Sequence, residues 1–169
     1  MRHLILMRHG DAERQSAGLG DFERALTPEG RAESRSIGQA LATAGLAPDL
    51  ALISSARRTA ETWKAVAEAF PKTAVLEDRS LYGASAVRLA AAAQDAAPRA
   101  NVLIIVGHNP GIHQYAIHLA IQAGASDAAA APLFERFPTG STAVFGYDAD
   151  GRPTFERLFL AKDYRGKAR

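Results

Sequence analysis

Cysteine is absent from the 169 residues. That excludes disulfides, thiolate nucleophiles and zinc sites built on sulfur, and it leaves the redox compartment open. Long apolar runs are absent as well. The first, Leu4 to Met7, is far shorter than the roughly 20 residues that cross a bilayer and too short for the core of a signal peptide. The expectation is a cytoplasmic protein without a membrane partner. An excess of one charge is also missing: 20 Lys and Arg face 18 Asp and Glu, a net charge of +2. That is too little to favour nucleic acid, even with a sequence pI near 9.1. Sixteen of the 20 basic residues are arginine, a preference that genome composition alone can produce. Lys162, Arg165, Lys167 and Arg169 form a basic tail over about 162–169, which reads as a solvated terminus.

What is present is an ordinary globular composition, 47% hydrophobic and 22% charged. The length suits a single domain over 1–169 with its own core. No apolar stripe is left over to suggest an oligomer, so a monomer is expected.

Short apolar runs alternate with helical patterns. Strands are predicted at His3–Met7, Leu50–Ile53, Ala74–Leu76, Val102–Val106, Thr142–Tyr147 and Phe155–Leu160. Between them, Trp63, Val66, Ala67 and Phe70 make one stripe of helical period, and Ile112, Tyr115, Ala116 and Leu119 make another. Thr27-Pro28 offers an N-cap followed by proline at the first helical position, with Gly45 and Pro48 closing that helix. Asn109-Pro110 looks like the same device after the fourth strand, and Pro71 stops the second helix. An alanine-rich helix is expected from about Ser85 to Ala97, and a flexible connection from Gly124 to Pro132. Asp148-Ala149-Asp150-Gly151 reads as a turn that joins the last two strands in an antiparallel hairpin. The alternation predicts a three-layer α/β sandwich with a mostly parallel sheet of about six strands.

Three segments follow strands at comparable places. Arg8-His9-Gly10 follows the first, Ser54 to Thr62 with Arg57 and Arg58 follows the second, and Gly107-His108-Asn109-Pro110-Gly111 follows the fourth. Ligands of open α/β sheets bind outside the carboxyl ends of the strands, beside helix N-termini that favour anions. Taken singly, each piece has a plain structural explanation: a histidine at a strand end, glycines in turns, arginines as surface charges. Together on one sheet edge they describe an oxyanion pocket. His3, His113 and His118 lack this placement and read as bystanders. No histidine pair has metal-ligand spacing beside a carboxylate, so no metal site is expected.

These motifs carry a resemblance. Leu-Ile-Leu-Met-Arg-His-Gly at 4–10, Leu-Thr-Pro-Glu-Gly at 26–30, Ser-Ser-Ala-Arg-Arg-Thr-Ala-Glu-Thr at 54–62 and Val-Gly-His-Asn-Pro-Gly at 106–111 resemble the histidine phosphatase superfamily. Within it they resemble the small SixA-type phosphohistidine phosphatases. The resemblance implies the phosphoglycerate mutase-like fold, no cofactor, and a metal-independent phosphatase with His9 as nucleophile. Arg8, Arg58 and His108 would hold the phosphoryl group and join His9 in catalysis. The family spacing of Ser, three residues, Arg, three residues, Thr selects Arg58 over Arg57 when counted from Ser54. His9 must be neutral to attack, with its other ring nitrogen donating to a backbone carbonyl and adjacent cations favouring the neutral form.

One departure bears on substrate. Larger members of this family carry a carboxylic acid after the third strand to protonate an alcohol leaving group. Here the loop reads Asp78-Arg79-Ser80-Leu81-Tyr82-Gly83-Ala84-Ser85, with Gly83 where the acid is expected. Glu77 and Asp78 come early and read as solvated, no carboxylate follows until Asp95, and nothing in the sequence turns Asp11 or Glu13 toward the pocket. Only 49 residues separate Arg58 from His108, which leaves no room for a capping insertion. The expected substrate is therefore phosphohistidine on a signalling protein, such as a histidine-containing phosphotransfer domain. A small phosphorylated metabolite and a catalytically silent phosphate-binding module are the alternatives.

Overall fold

The computed structural model describes residues 1–15, 18, 20–126 and 128–164. Its central strands bury both faces, which is what covering a parallel sheet with helices requires. In β1 (His3–Arg8), Leu4 and Leu6 join one core while Ile5 and Met7 join the other. The same alternation runs through β2 (Leu50–Ser54) and β4 (Val102–Gly107), so near-continuous apolar runs serve two cores at once.

Helices α1 (Pro28–Thr43) and α2 (Arg57–Val66) cover one face with Ile37, Leu41, Trp63 and Val66. On the other face, α3 (Ala86–Ala96) and α4 (Gly111–Gln122) supply Leu89, Ala93, Ile112, Tyr115 and Leu119. With β3 (Ala74–Asp78), β5 (Thr142–Tyr147) and β6 (Pro153–Phe159), the sheet runs β3-β2-β4-β1-β5-β6. The first four strands are mutually parallel; β5 is antiparallel to β1 and to β6. The chain moves outward from β2 to β3 through α2 and returns to β4 through α3. Right-handed crossovers in opposite directions put those helices on opposite faces. The return inserts β4 between β2 and β1, so the carboxyl ends of those three strands are neighbours.

Thr27 caps α1 by accepting from Gly30 N at 2.9 Å, with Pro28 in the first turn, and Ser85 caps α3 by accepting from Arg88 N. Asp148 Oδ1 accepts from Asp150 N and Arg152 N in the final hairpin turn. Three expectations need correction. The stripe of Trp63, Val66, Ala67 and Phe70 is not on one α-helix, because α2 ends at Val66 and a 3-10 turn at Ala67–Ala69 carries the chain on to Phe70. The connection from Gly124 runs into α5 (Ala131–Glu135), too short to show a period; position 127 lies outside the described residues. Asn109 does not cap α4: its Nδ2 donates to the Phe137 carbonyl at 2.9 Å, and the Asn109–Pro110 bond is cis. Of the basic tail, Lys162 falls in a 3-10 turn, whereas Arg165, Lys167 and Arg169 lie outside the described residues. Among the described residues no helix is long and apolar enough to cross a membrane.

Candidate active site

At the carboxyl edge of the sheet, Arg8 pairs in register with Gly107, and Ile53 with Val106. The next residues along β1 and β4 are His9 and His108, whose ring centroids lie 5.3 Å apart. Ser54, the last residue of β2, places Oγ 2.8 Å from His108 Nε2. His9, Arg58 and His108 are each only 5–7% exposed.

His9 is fixed from several directions. Its N–H donates to the Gly107 carbonyl at 3.0 Å, and its carbonyl accepts from Gly140 N at 2.9 Å. The ring Nδ1 lies 2.7 Å from the Gly10 carbonyl. A carbonyl can only accept, so Nδ1 carries the proton and the lone pair of the neutral ring is on Nε2. Gly10 N in turn donates to Thr62 Oγ1, which donates to the Arg58 carbonyl, tying this loop to α2. The loop also crosses the start of α1 at a separation that only glycines permit. A Cβ on Gly10 would lie 2.7 Å from Ser34 Oγ, and one on Gly30 would run into the Asp11 backbone.

Burial is the largest cause that lowers the His9 pKa from 6.5 to about 3; the Gly10 bond opposes it, and His108, Arg58 and Arg8 assist. For His108 the value falls to about 4, again through burial first and then Arg58. Both rings are therefore neutral at pH 7. The neighbouring cations do favour this form, but loss of water does more, and composition alone does not report that.

The two arginines approach from different elements. Arg8 donates from Nη1 to the Phe137 carbonyl at 2.9 Å; burial and the charge of Arg58 lower its pKa, while Asp11 opposes the shift. Phe137 is placed by His113, which stacks on its ring and whose Nε2–H donates to the Leu133 carbonyl at 2.7 Å. His113 thus supports Arg8 at one remove and is not a bystander. His3 pairs with Glu156 and His118 is exposed on α4; neither has a contact with the group.

Arg58 donates from Nη1 to the Asp21 carbonyl at 2.6 Å and from Nη2 to Asp21 Oδ2 at 2.9 Å. Arg57, one residue away, is half-exposed and pairs with Glu61 on the outside of α2. Arg8 Nε, Arg58 Nε and His108 Nδ1 are buried without a hydrogen-bond partner among the described residues. Of the helices that start at this edge, α2 and α4 have no side-chain cap, unlike α1 and α3.

Sequence reading missed Asp21 and Tyr82. Tyr82 packs edge-on against His108 at 5.4 Å and against Phe22 at 5.1 Å, and its hydroxyl donates to Asp21 Oδ2 at 2.7 Å. That bond, then Arg24 and Arg58, holds the Asp21 carboxyl well below the usual carboxylate range. Gly83, where the acid is expected, has φ of 65°, a conformation that a glutamate would occupy only with strain. Of the carboxylates weighed from sequence, Asp78 is turned away to Ser80 and Arg88, and Asp11 accepts from Thr27 Oγ1 at the start of α1. Among the described residues no group of three or more His, Asp or Glu side chains is placed to hold a metal ion.

Residues 4–82 match the model of the histidine phosphatase superfamily, branch 1. An uncharacterized Mycobacterium tuberculosis protein is 32% identical over 150 residues, covering 87% of this chain and 92% of the relative. An uncharacterized chloroplastic protein of Arabidopsis thaliana is 30% identical over 120 residues, 65% of this chain; the aligned part spans 55% of that relative. The solved structure of an Agrobacterium tumefaciens protein assigned as a phosphohistidine phosphatase SixA superposes with a TM-score of 0.81 at 27% identity, covering 94% of this chain and 97% of the other. The chain belongs to the histidine phosphatase superfamily. It has the phosphoglycerate mutase-like α/β fold, and as an enzyme it is a phosphatase.

Proposed function

We infer that the chain removes a phosphoryl group through a covalent phosphohistidine at His9, and that its substrate is phosphohistidine carried on another protein. The observation that carries the mechanism is the state of His9. Its Nδ1–H is engaged by the Gly10 carbonyl, which leaves the Nε2 lone pair of a neutral ring as nucleophile. Arg8 and Arg58 bring two buried guanidinium Nε–H donors to the same edge, and His108 a further ring nitrogen. Buried polar atoms of this kind are normally satisfied, and phosphoryl oxygens meet arginine donors well.

In the first step His9 Nε2 attacks phosphorus while the bond from phosphorus to the leaving group breaks. In the second, water attacks phosphorus, the P–Nε2 bond breaks, and the proton of that water passes to solvent. Arginine charge and the uncapped starts of α2 and α4 stabilise the transferring group, which is the main requirement of phosphoryl transfer. No step is assigned to a metal ion or cofactor.

The substrate reading rests on Gly83. A side chain there cannot supply an acid, and Asp21 is held ionised, so an alcohol would leave without a proton donor. Imidazole is basic enough to depart already protonated. Cytoplasmic signalling is the setting in which such a phosphoprotein would be met.

The test offers a phosphorylated histidine-containing phosphotransfer domain and a series of sugar and nucleotide phosphates to wild type and His9→Ala. Turnover of the phosphoprotein by wild type alone is expected. Turnover of metabolites only would move the substrate to the small-molecule class, and phosphate binding without turnover of either would make the chain a binding module.

A further inference from the structure

The loop between β1 and α1 sets Asp21 directly on the Arg58 guanidinium, an arrangement the phosphatase chemistry does not by itself require. Both terminal nitrogens of Arg58 are engaged by Asp21, one at the carbonyl and one at the carboxylate. The carboxylate is itself held on three sides. Arg24 Nη1 donates to Oδ1 at 2.9 Å, and Arg58 Nη2 and Tyr82 Oη donate to Oδ2 at 2.9 and 2.7 Å. Arg24 is anchored through Nε to the Glu13 carbonyl at 2.6 Å. Tyr82 also faces the Arg58 guanidinium carbon at 5.8 Å from its ring centroid and meets the edge of His108. Of the three guanidinium nitrogens, Nε is the one that is buried without a partner among the described residues.

We propose that Asp21, held by Tyr82 and Arg24, is a positioning residue that locks the Arg58 guanidinium in one orientation, occupying one N–H of each terminal nitrogen and leaving the buried Nε–H for the phosphoryl group. This rests on the reading that Arg58 binds the transferring phosphoryl group. The device has two opposing consequences. Fixing the donor before the reaction favours the transition state, since no reorganisation is needed as charge moves. A carboxylate on the same guanidinium also competes with a bound phosphate and repels it, which weakens binding of the product anion. Asp21 therefore trades ground-state anion affinity for transition-state stabilisation, and its removal moves the two quantities in opposite directions. A residue that merely built the pocket would move both the same way.

The experiment measures inorganic phosphate affinity by calorimetry and kcat/KM on the best substrate of the panel, for wild type, D21N, D21E, Y82F and R58A. In D21N, kcat/KM falls about tenfold while phosphate binds about threefold more tightly. Y82F keeps the ring on His108 and the charge of Asp21 but removes one hydrogen bond that orients the carboxylate, so kcat/KM falls about twofold while phosphate affinity stays near wild type; an unchanged or raised kcat/KM in this variant overturns the positioning role if D21N does not fold. D21E keeps the charge, so phosphate affinity stays near wild type while kcat/KM falls. Weaker phosphate binding in D21N, or kcat/KM that is unchanged or raised in both D21N and Y82F, overturns the proposal. R58A separates the two levels. If it binds phosphate as wild type does, the phosphoryl-binding role of Arg58 fails; if it loses affinity while D21N fails to gain it, that role stands and the proposal for Asp21 falls.

Discussion

His9 and His108 are histidines that the fold keeps neutral, and this has a readable pH consequence. Their pKa values drop from 6.5 to about 3 and about 4, so the folded state opposes protonation that the unfolded chain accepts. The associated stability is complete above pH 6.5 and is lost as pH falls from there toward the folded values. Urea denaturation of the phosphate-free protein should show a loss of about 1–2 kcal/mol from His108 between pH 7 and pH 5, and His108→Gln should flatten that slope. Asp21 acts in a separate window: its depressed carboxyl supports the fold above its ordinary value near 3.8 and loses that support only at lower pH. The acid limb of kcat/KM reports the free enzyme, so it should lie below pH 5 rather than near 6.5. A limb at 6.5 that disappears in His108→Gln would mean the site is wetter than this packing implies. The same residues show what a sequence reveals. Arg8, His9 and His108 follow apolar strands directly, so local pattern was enough to gather them, whereas Arg58 was separated from Arg57 only by the spacing that the family resemblance implies. Asp21 reaches Arg58 across 37 positions from a segment with no periodicity, and Tyr82 reaches Asp21 across 61. Nothing local marks either one.

At the level of elements, caps and turns were legible because each has its own chemistry. Thr27-Pro28 begins α1, and Asp148 to Gly151 closes the last hairpin. Asn109-Pro110 misled for a physical reason: an asparagine before proline suits a cap, but its amide is engaged by Phe137 instead. The α5 helix is too short for a pattern to establish itself. The crossing of the 9–11 loop over α1 was hidden as well, since a glycine in sequence does not say what passes beside it. Gly30→Ala should therefore cost about 3 kcal/mol, because its Cβ would strike the Asp11 backbone, and the urea midpoint should fall. The Thr27→Ala cap variant should cost about 1 kcal/mol with kcat preserved. A Gly30→Ala protein as stable as wild type would show that the crossing is looser than described.

For the whole molecule, sequence predicted a mostly parallel six-stranded sheet between helical layers, and the sheet is that, with β5 antiparallel to its neighbours. Strand order was beyond reach, since buried parallel strands read alike. It is the insertion of β4 between β2 and β1 that makes Ser54, His108 and His9 neighbours. The loop after β3 closes the site with Tyr82 in place of an acid. Gly83→Glu should accordingly fail to raise turnover of alkyl phosphates, and should lose about 1 kcal/mol of stability from its positive φ. A gain in alkyl phosphate hydrolysis in that variant would show that the loop can place an acid after all.

The measurement that bears most directly on the account is a rapid quench in alkali of wild type mixed with a phosphoryl-labelled substrate, followed by peptide mapping. Phosphohistidine survives base and is lost in acid. We predict label on His9, formed and discharged at least as fast as turnover, and no label or turnover in His9→Ala. Turnover by wild type with the label on another residue, or activity retained in His9→Ala, would contradict it.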